Sequence, residues 1–294
     1  MLPLLRQRGH EVLAPRSHEI DLLKEIPERT EHDGLDAVIH AAALYGGMPF
    51  DMENQGHVLS TNTRMNLNVF DFCRRVMPGK LVTIGSACAY SGYSDRDLTE
   101  HDFFNGRLHE TVECHGFTKL WMIPAHRAYK STFGLNGVHL VPANLYGPHD
   151  VYQIARAHVV AALMRKFTDA LPTGADVHLM GDGTPVREFL HIGDLAEVIA
   201  RSVERLTHED VPINVGTGVG HTIRELADAI AEKVHFRGRV HWDPAQANGT
   251  QRKVMDVSRM HRLLGPFEPQ SLSEGLDSTL TWYRERKTLA DARS

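Results

Sequence analysis

Residues 79–90, "GKLVTIGSACAY", decide the fold class of this chain. An apolar run from Leu81 to Ile84 ends in a glycine, which small and hydroxyl-bearing side chains follow. Such a run predicts a buried strand. The segment before it, 60–76, "STNTRMNLNVFDFCRRV", has apolar residues at helical spacing and predicts an amphipathic helix. A helix that leads into a buried strand is half of a βαβ unit.

The same alternation continues along the chain. We predict strands in "HEVLAP" (10–15), "LDAVIHAAA" (35–43), "GLNGVHLVPANLYGP" (134–148) and "PINVGTG" (212–218). Helices are predicted around 113–121 and 158–167, after a cap at Asp194, and over 221–234, where Thr222 and Glu225 form a capping box. Strands that alternate with helices predict an α/β fold with a parallel, helix-covered sheet.

Composition excludes several classes of protein. The 294 residues are 42% hydrophobic and 23% charged, which is typical of a globular chain with a substantial core. A net charge of −5 gives no basic surface for nucleic acid or an anionic membrane. Cys73, Cys88 and Cys114 match no zinc or CxxC spacing, and the 19 histidines form no HExxH motif. We expect no metal site and, without a transmembrane run or signal peptide, a cytoplasmic protein with reduced thiols.

Small and polar residues stand where the predicted strands end. These are Ala41, Ala42 and Ala43, then Ser86 and Cys88, then Asn144 and Leu145. Ligands of parallel sheets bind at the carboxyl ends of strands, and small residues let a flat ligand approach the backbone. Tight packing of helix on strand explains the alanines equally well, but it does not easily explain Ser86, Cys88 and Asn144.

The stretch "ECHGFTKLW" (113–121) places His115 and Lys119 four residues apart. On a helix both side chains leave the same face, with Cβ atoms about 5–6 Å apart. Two interpretations are open at this point, an active-site couple and a solvated helix face.

Six stretches, in order along nearly the whole chain, carry a resemblance. They are "GSACAY", "PANLYGPHD", "AHVVAALMRKF", "GDGTPVREFLHIGDLA", "INVGTGVGHTIRELA" and "GTQRKVMDVSRM". With them the chain resembles the extended short-chain dehydrogenases/reductases and, within these, the GDP-L-fucose synthase family. The resemblance implies a Rossmann-like sheet with helices on both faces and a smaller C-terminal α/β lobe. We place a dinucleotide-binding domain at 1–148, with 195–218 returning to it, and a nucleotide-sugar domain at 149–194 and 219–294.

The resemblance also implies an activity, that of an NADP-dependent epimerase and reductase acting on a GDP-linked 4-keto-6-deoxy sugar, in a homodimer. Ser86 matches a serine that binds the sugar near its carbonyl, and Cys88 and His158 match the pair that inverts carbons beside the ketone. Inversion needs a base on one face and an acid on the other, and a thiolate and an imidazole both titrate near neutrality. The alternative for Cys88 is a small buried hydrophobe.

Further residues match binding positions of the family. The cofactor positions are Ala41, Ala42, Ala43, Lys119, Pro142, Asn144, Leu145 and His158. The nucleotide-sugar positions are Asn144, Val159, Leu163, Lys166, Arg187 and Lys253. Arg and Lys form charge-assisted hydrogen bonds with a diphosphate. The alternative for Lys166, Arg187 and Lys253 is a surface salt bridge.

Two features depart from the family pattern. The family begins with a strand and a glycine-rich turn that holds the pyrophosphate, whereas "LPLLRQRG" reads as the end of the helix that follows such a turn. A start assigned too far downstream and a natural deletion are the alternatives. Second, His115 stands where the family has the tyrosine that donates a proton in the reduction, with Lys119 in its usual place. An imidazole is shorter than a phenol, and Lys119 disfavours the imidazolium that would donate, so we expect weakened or lost reduction.

Three hypotheses follow from these matches. The first is an active epimerase/reductase with His115 in place of tyrosine. The second is a relative that only epimerises or binds a nucleotide sugar, since proton exchange through Cys88 and His158 needs no hydride. The third is a non-catalytic partner subunit.

Overall fold

The computed structural model describes residues 1–246 and 249–292. The helices are α1 (Leu2–Gln7), α2 (Met48–Glu53), α3 (Gln55–Val76), α4 (Glu113–Leu120), α5 (Met122–Phe133), α6 (Val159–Ala170), α7 (Ile192–Arg205), α8 (Ile223–Lys233), α9 (Ser258–Leu264), α10 (Leu272–Glu285) and α11 (Lys287–Ala292). The strands are β1 (Val38–His40), β2 (Leu81–Ile84), β3 (Gly137–Pro142), β4 (Asn144–Tyr146), β5 (Val177–Met180), β6 (Val186–His191), β7 (Ile213–Val215), β8 (Gly220–Thr222), β9 (Val240–Asp243) and β10 (Arg252–Lys253).

The first sheet is parallel and has the order β1-β2-β3-β7. Its central residues carry β-branched and leucine side chains that are fully buried, as expected for strands covered on both faces. Val82 pairs with Ile39 on one side and with Val138 on the other. The carboxyl ends of β1, β2 and β3 therefore lie side by side.

Helices cover both faces of this sheet. On one face Phe70 and Cys73 of α3 and Met122 of α5 pack against Leu81 in one apolar cluster. On the other face α7 and α9 bury their apolar side chains against β2 and β3. The predicted α/β fold with a parallel, helix-covered sheet is confirmed.

A second lobe is built from α6, α8 and α10 with the remaining strands. Strand β6 pairs with β4 and β10 in parallel and with β8 in antiparallel orientation, while β5 pairs with β9. Phe167, Leu226 and Tyr283 lie at the centre of its apolar core. The domain bounds predicted from the sequence stay a prediction. Every helix within residues 1–246 and 249–292 is too short or too polar to cross a bilayer.

Three local predictions are wrong. Residues 10–15 have no strand pairing in the described structure, because an extended pattern becomes a strand only beside a partner. The segment 134–148 contains two strands: β3 belongs to the first sheet and β4 to the second, and between them the N–H of Ala143 bonds to Val215 O. Helix α7 is capped by the imidazole of His191, whereas Asp194 accepts a bond from the backbone N–H of Gln270.

Candidate active site

Cys88 lies in a tight turn directly after β2. Ser86 begins a short 3-10 helix over Ala87–Ala89, and its Oγ accepts a hydrogen bond from the backbone N–H of Cys88 at 3.1 Å. The serine hydroxyl keeps its own proton to donate, since it serves this N–H as an acceptor. Both side chains are partly exposed at the carboxyl end of the strand.

Helix α4 packs against this turn through a glycine. A Cβ at Gly116 would overlap the carbonyl oxygen of Cys88. The neighbouring His115 is therefore held beside the Cys88 turn. The C-terminal half of α4 is also tied to α3, where Asn66 donates to Thr118 O at 2.8 Å and its Oδ1 accepts from His40 Nε2 at 2.8 Å.

Lys119 and His115 lie on one face of α4, as predicted, and both are desolvated. Lys119 is buried, its Nζ donates to Ile84 O at 3.0 Å, and burial lowers its pKa to about 8. Burial, helped by the charges of Lys119 and His158, lowers the pKa of His115 to about 3. At neutral pH the imidazole of His115 is uncharged. Its Nδ1 is buried without a hydrogen-bond partner among the described residues.

His158 precedes α6 as its N-cap residue and faces His115 closely enough to influence its charge. Burial lowers the pKa of His158. Its ring stacks on that of Tyr45, with centroids 5.4 Å apart and planes inclined by 20°. Through His115 the structure thus brings His158 and Cys88, from distant parts of the chain, into one neighbourhood.

Two cations lie beside Cys88. Arg187 of β6 and Lys253 of β10 are paired in register. Burial lowers the pKa of both, and negative charge on Cys88 offsets part of this effect. Within the described ranges no carboxylate forms an ion pair with either residue. Buried cations without an anionic partner are costly, so this pair indicates a place for an anionic ligand.

A buried carboxylate holds this pair in place. Glu188 accepts backbone N–H groups from Thr217 at 2.5 Å, Gly218 at 2.8 Å and Met255 at 2.8 Å. Sequence reasoning missed its role. An acidic residue inside the apolar strand "REFLHI" was the available signal, since a buried carboxylate must find donors.

The remaining predicted positions fall into two groups. Val159, Leu163 and Lys166 follow one face of α6 away from His158. Leu163 is buried, and Lys166 donates to His178 O at 3.0 Å while lining a surface pocket of about 290 Å³. The ion pairs of the described residues do not include Lys166, so they give no support to the alternative interpretation of Lys166 as a surface salt bridge.

The second group lies at the strand ends. Ala41, Ala42 and Ala43 follow β1 directly, and Ala41 is exposed. Pro142 ends β3 and is buried. Asn144 and Leu145 belong to β4, where the amide of Asn144 donates to Glu188 O at 2.8 Å. These positions border the sheet edge that Lys119 reaches.

The His, Cys, Asp and Glu side chains of the described residues form no group of three that could hold a metal ion.

The described residues fit the nicotinamide half of a dinucleotide. The unpartnered Nδ1 of His115, the buried ammonium of Lys119 and the small side chains after β1 meet at one edge of the sheet. A polar nitrogen that is buried without a partner is costly unless a ligand supplies one. The residues that would contact the rest of the dinucleotide are not identified by this geometry.

Comparisons with known proteins identify the family of the chain. The NAD dependent epimerase/dehydratase family matches residues 1–216. The GDP-L-fucose synthase of Escherichia coli strain K12 is 36% identical, over 96% of this chain and 92% of that protein. GDP-L-fucose synthase 1 of Arabidopsis thaliana is 33% identical, over 95% of this chain and 87% of that protein. The crystal structure of a GDP-L-fucose synthetase from Naegleria fowleri bound to NADP superposes with a TM-score of 0.88 at 22% identity, covering 99% of this chain and 91% of that one. The chain belongs to the NAD dependent epimerase/dehydratase family.

Proposed function

We propose that the protein is an NADP-dependent epimerase and reductase of a GDP-linked 4-keto-6-deoxy sugar. The observation that carries the proposal is the convergence of the Cys88 turn, His115, His158 and the unpaired cations Arg187 and Lys253. Support for the substrate class comes from the names of the relatives, which are GDP-L-fucose synthases at 33–36% identity over nearly the whole chain.

The epimerase half is a proton exchange beside a ketone. The Cys88 thiolate takes a proton from a carbon next to the carbonyl, and the electron pair moves onto the carbonyl oxygen as an enolate. The hydroxyl of Ser86, whose proton is free to donate, stabilises that oxygen. His158 then returns a proton to the other face of the carbon. No hydride takes part in these steps.

The substrate diphosphate is assigned to Arg187 and Lys253. Both cations lack an anionic partner in the described structure, and a diphosphate would satisfy each with charge-assisted hydrogen bonds. From there the nucleotide is assigned to the α6 face of Val159, Leu163 and Lys166. A helix rises about 1.5 Å per residue, so this face extends the site by about one nucleoside.

The reductase half uses Lys119 and His115. Reduced NADP, when bound, would supply a hydride to the sugar carbonyl carbon, and the carbonyl oxygen would then need a proton. Lys119 would hold the ribose hydroxyls. The neutral imidazole of His115 donates an N–H hydrogen bond to the oxygen, and solvent water supplies the proton that the oxygen takes up. Because its pKa is about 3, His115 carries no proton that it gives up readily at neutral pH. We therefore expect slow reduction.

The proposal is tested by supplying GDP-4-keto-6-deoxymannose and NADPH to the purified protein. Formation of an NADP-dependent, inverted and reduced GDP-sugar, identified by NMR, supports it. A protein that binds neither GDP nor the keto-sugar contradicts it.

A further inference from the structure

Tyr45 contacts His158 ring against ring. The two rings stack with centroids 5.4 Å apart and an interplanar angle of 20°. Tyr45 is 43% exposed and therefore lies outside the buried core, while its ring stacks on the imidazole.

The backbone fixes Tyr45 from the side of α3. Leu44, the preceding residue, donates its N–H to Asn62 Oδ1 at 2.7 Å and accepts from Asn62 Nδ2 at 2.8 Å. Asn62 is buried in α3. This pair of bonds holds the chain entering Tyr45 in one conformation.

A second set of contacts joins Tyr45 to the segment that carries His158. Arg156 donates from its guanidinium to Tyr45 O at 3.3 Å, and Gly47 donates its N–H to Arg156 O at 2.9 Å. A Cβ at Gly47 would lie 2.6 Å from Ala157 O, so the two segments touch backbone to backbone. Contacts between the two backbone segments therefore hold the rings of Tyr45 and His158 together.

An imidazole that gives and takes a proton passes through a cation. An imidazolium within about 6 Å of an aromatic face is stabilised by the ring quadrupole. The stack also fixes the plane of the imidazole, so that its nitrogens point along the ring edge and not toward Tyr45.

We infer that Tyr45 is a positioning residue for proton transfer by His158, acting through the aromatic face that it lays on the imidazole. The inference rests on the proposed epimerase function. Tyr45 orients His158, shields it from solvent on one side and stabilises its protonated form. The ring, and not the hydroxyl, carries this role.

The test compares Tyr45→Leu with Tyr45→Phe. Deuterium incorporation from D2O into the carbons beside the ketone of GDP-4-keto-6-deoxymannose is followed by NMR without cofactor. We expect Tyr45→Leu to lower kcat for exchange by about 2- to 30-fold, the range of a cation–π contact, with KM unchanged. Tyr45→Phe should keep the wild-type rate. The control Phe133→Leu removes an aromatic ring of similar exposure at the end of α5 and should have no effect.

The possible outcomes test the role of Tyr45 and the proposed function separately. Wild-type exchange rates in Tyr45→Leu, or equal losses in the Leu and Phe variants, overturn the role of the aromatic face. GDP affinity, measured by calorimetry on the same variants, reports on the site itself and should not change. A wild-type protein that neither exchanges deuterium nor binds GDP overturns the proposed function instead.

Discussion

Gly116 of α4 lies so close to the backbone carbonyl of Cys88 that no side chain fits between them. This contact sets the distance between the turn that carries the thiol and the helix that carries His115 and Lys119. Epimerisation and reduction, the two halves of the proposed reaction, therefore both depend on the contact between Gly116 and Cys88.

The first prediction concerns the contact between Gly116 and Cys88. Gly116→Ala forces α4 away from the Cys88 turn, and overpacking of this kind costs about 1–3 kcal/mol of stability. We expect a lower Tm and a loss of both deuterium exchange and reduction. Gly56→Ala is the matched control, because Gly56 is also helical and a Cβ there meets nothing within 4 Å. Gly56→Ala should leave the stability unchanged or raise it slightly. An unchanged Tm and full activity in Gly116→Ala would refute the packing described here.

The second prediction concerns the proton donor of the reduction. His115→Tyr restores a phenol beside Lys119, whose charge favours ionisation of that phenol. We expect NADPH oxidation with the keto-sugar to rise by about 100-fold, the lower end of general acid catalysis. His115→Phe, which has no exchangeable proton, serves as the control and should lower the rate. A tyrosine variant no faster than wild type would show that His115 does not limit reduction.

The third prediction concerns Arg187 and Lys253. Lys253→Met removes one of two buried cations and leaves an unbranched side chain that is one atom shorter. Charge-assisted hydrogen bonds contribute about 1.5–3 kcal/mol, so GDP affinity should fall by at least about tenfold. The affinity for guanosine, which has no phosphate, should stay the same. Equal losses for GDP and guanosine would place the diphosphate elsewhere.

The fourth prediction concerns acid stability. Burial lowers the pKa of His40 to about 4 and that of His126 to about 3, and it lowers that of His139 as well. Thr83 Oγ1 lies 2.7 Å from both His126 Nε2 and His139 Nδ1. These histidines stay neutral when folded but take up a proton when unfolded, so stability is full above about pH 6.5 and falls as the pH drops toward 4.

For His40 alone this linkage amounts to a loss on the order of 2 kcal/mol at about pH 5. The Tm measured against pH should therefore fall steeply below about pH 6.5. His40→Gln should reduce that slope, whereas His57→Gln, at an exposed position of α3, should leave it unchanged. A flat Tm between these pH values would contradict the burial of the histidines.

The sequence predicted the alternation of strands and helices because local patterns encode burial. Phe70 and Cys73 of α3, and the fully buried strand Leu81–Ile84, follow directly from apolar spacing. Pairing is not local, which is why the local pattern predicts a strand at residues 10–15 that finds no partner, and why it predicts one strand where β3 and β4 belong to different sheets. The N–H of Ala143 donates to Val215 O, far along the chain, and no sequence pattern near Ala143 predicts this hydrogen bond.

The site residues likewise divide into those that the sequence predicts and those that it does not. The sequence predicted Cys88 at the end of a strand and Lys119 on the same helix face as His115, and the structure has both at these places. The sequence did not predict Tyr45, because its role depends on a stack with His158 that only the folded chain creates. Glu188 was visible as an acid in an apolar strand, but its three N–H partners come from two other segments.

Deuterium exchange without cofactor tests the central claim most directly. The wild-type protein, mixed with GDP-4-keto-6-deoxymannose in D2O and no NADPH, is predicted to incorporate deuterium at C3 and C5. Cys88→Ala should abolish this exchange, and His158→Ala should reduce it strongly, while both variants still bind GDP. Exchange at the wild-type rate in Cys88→Ala would contradict the account.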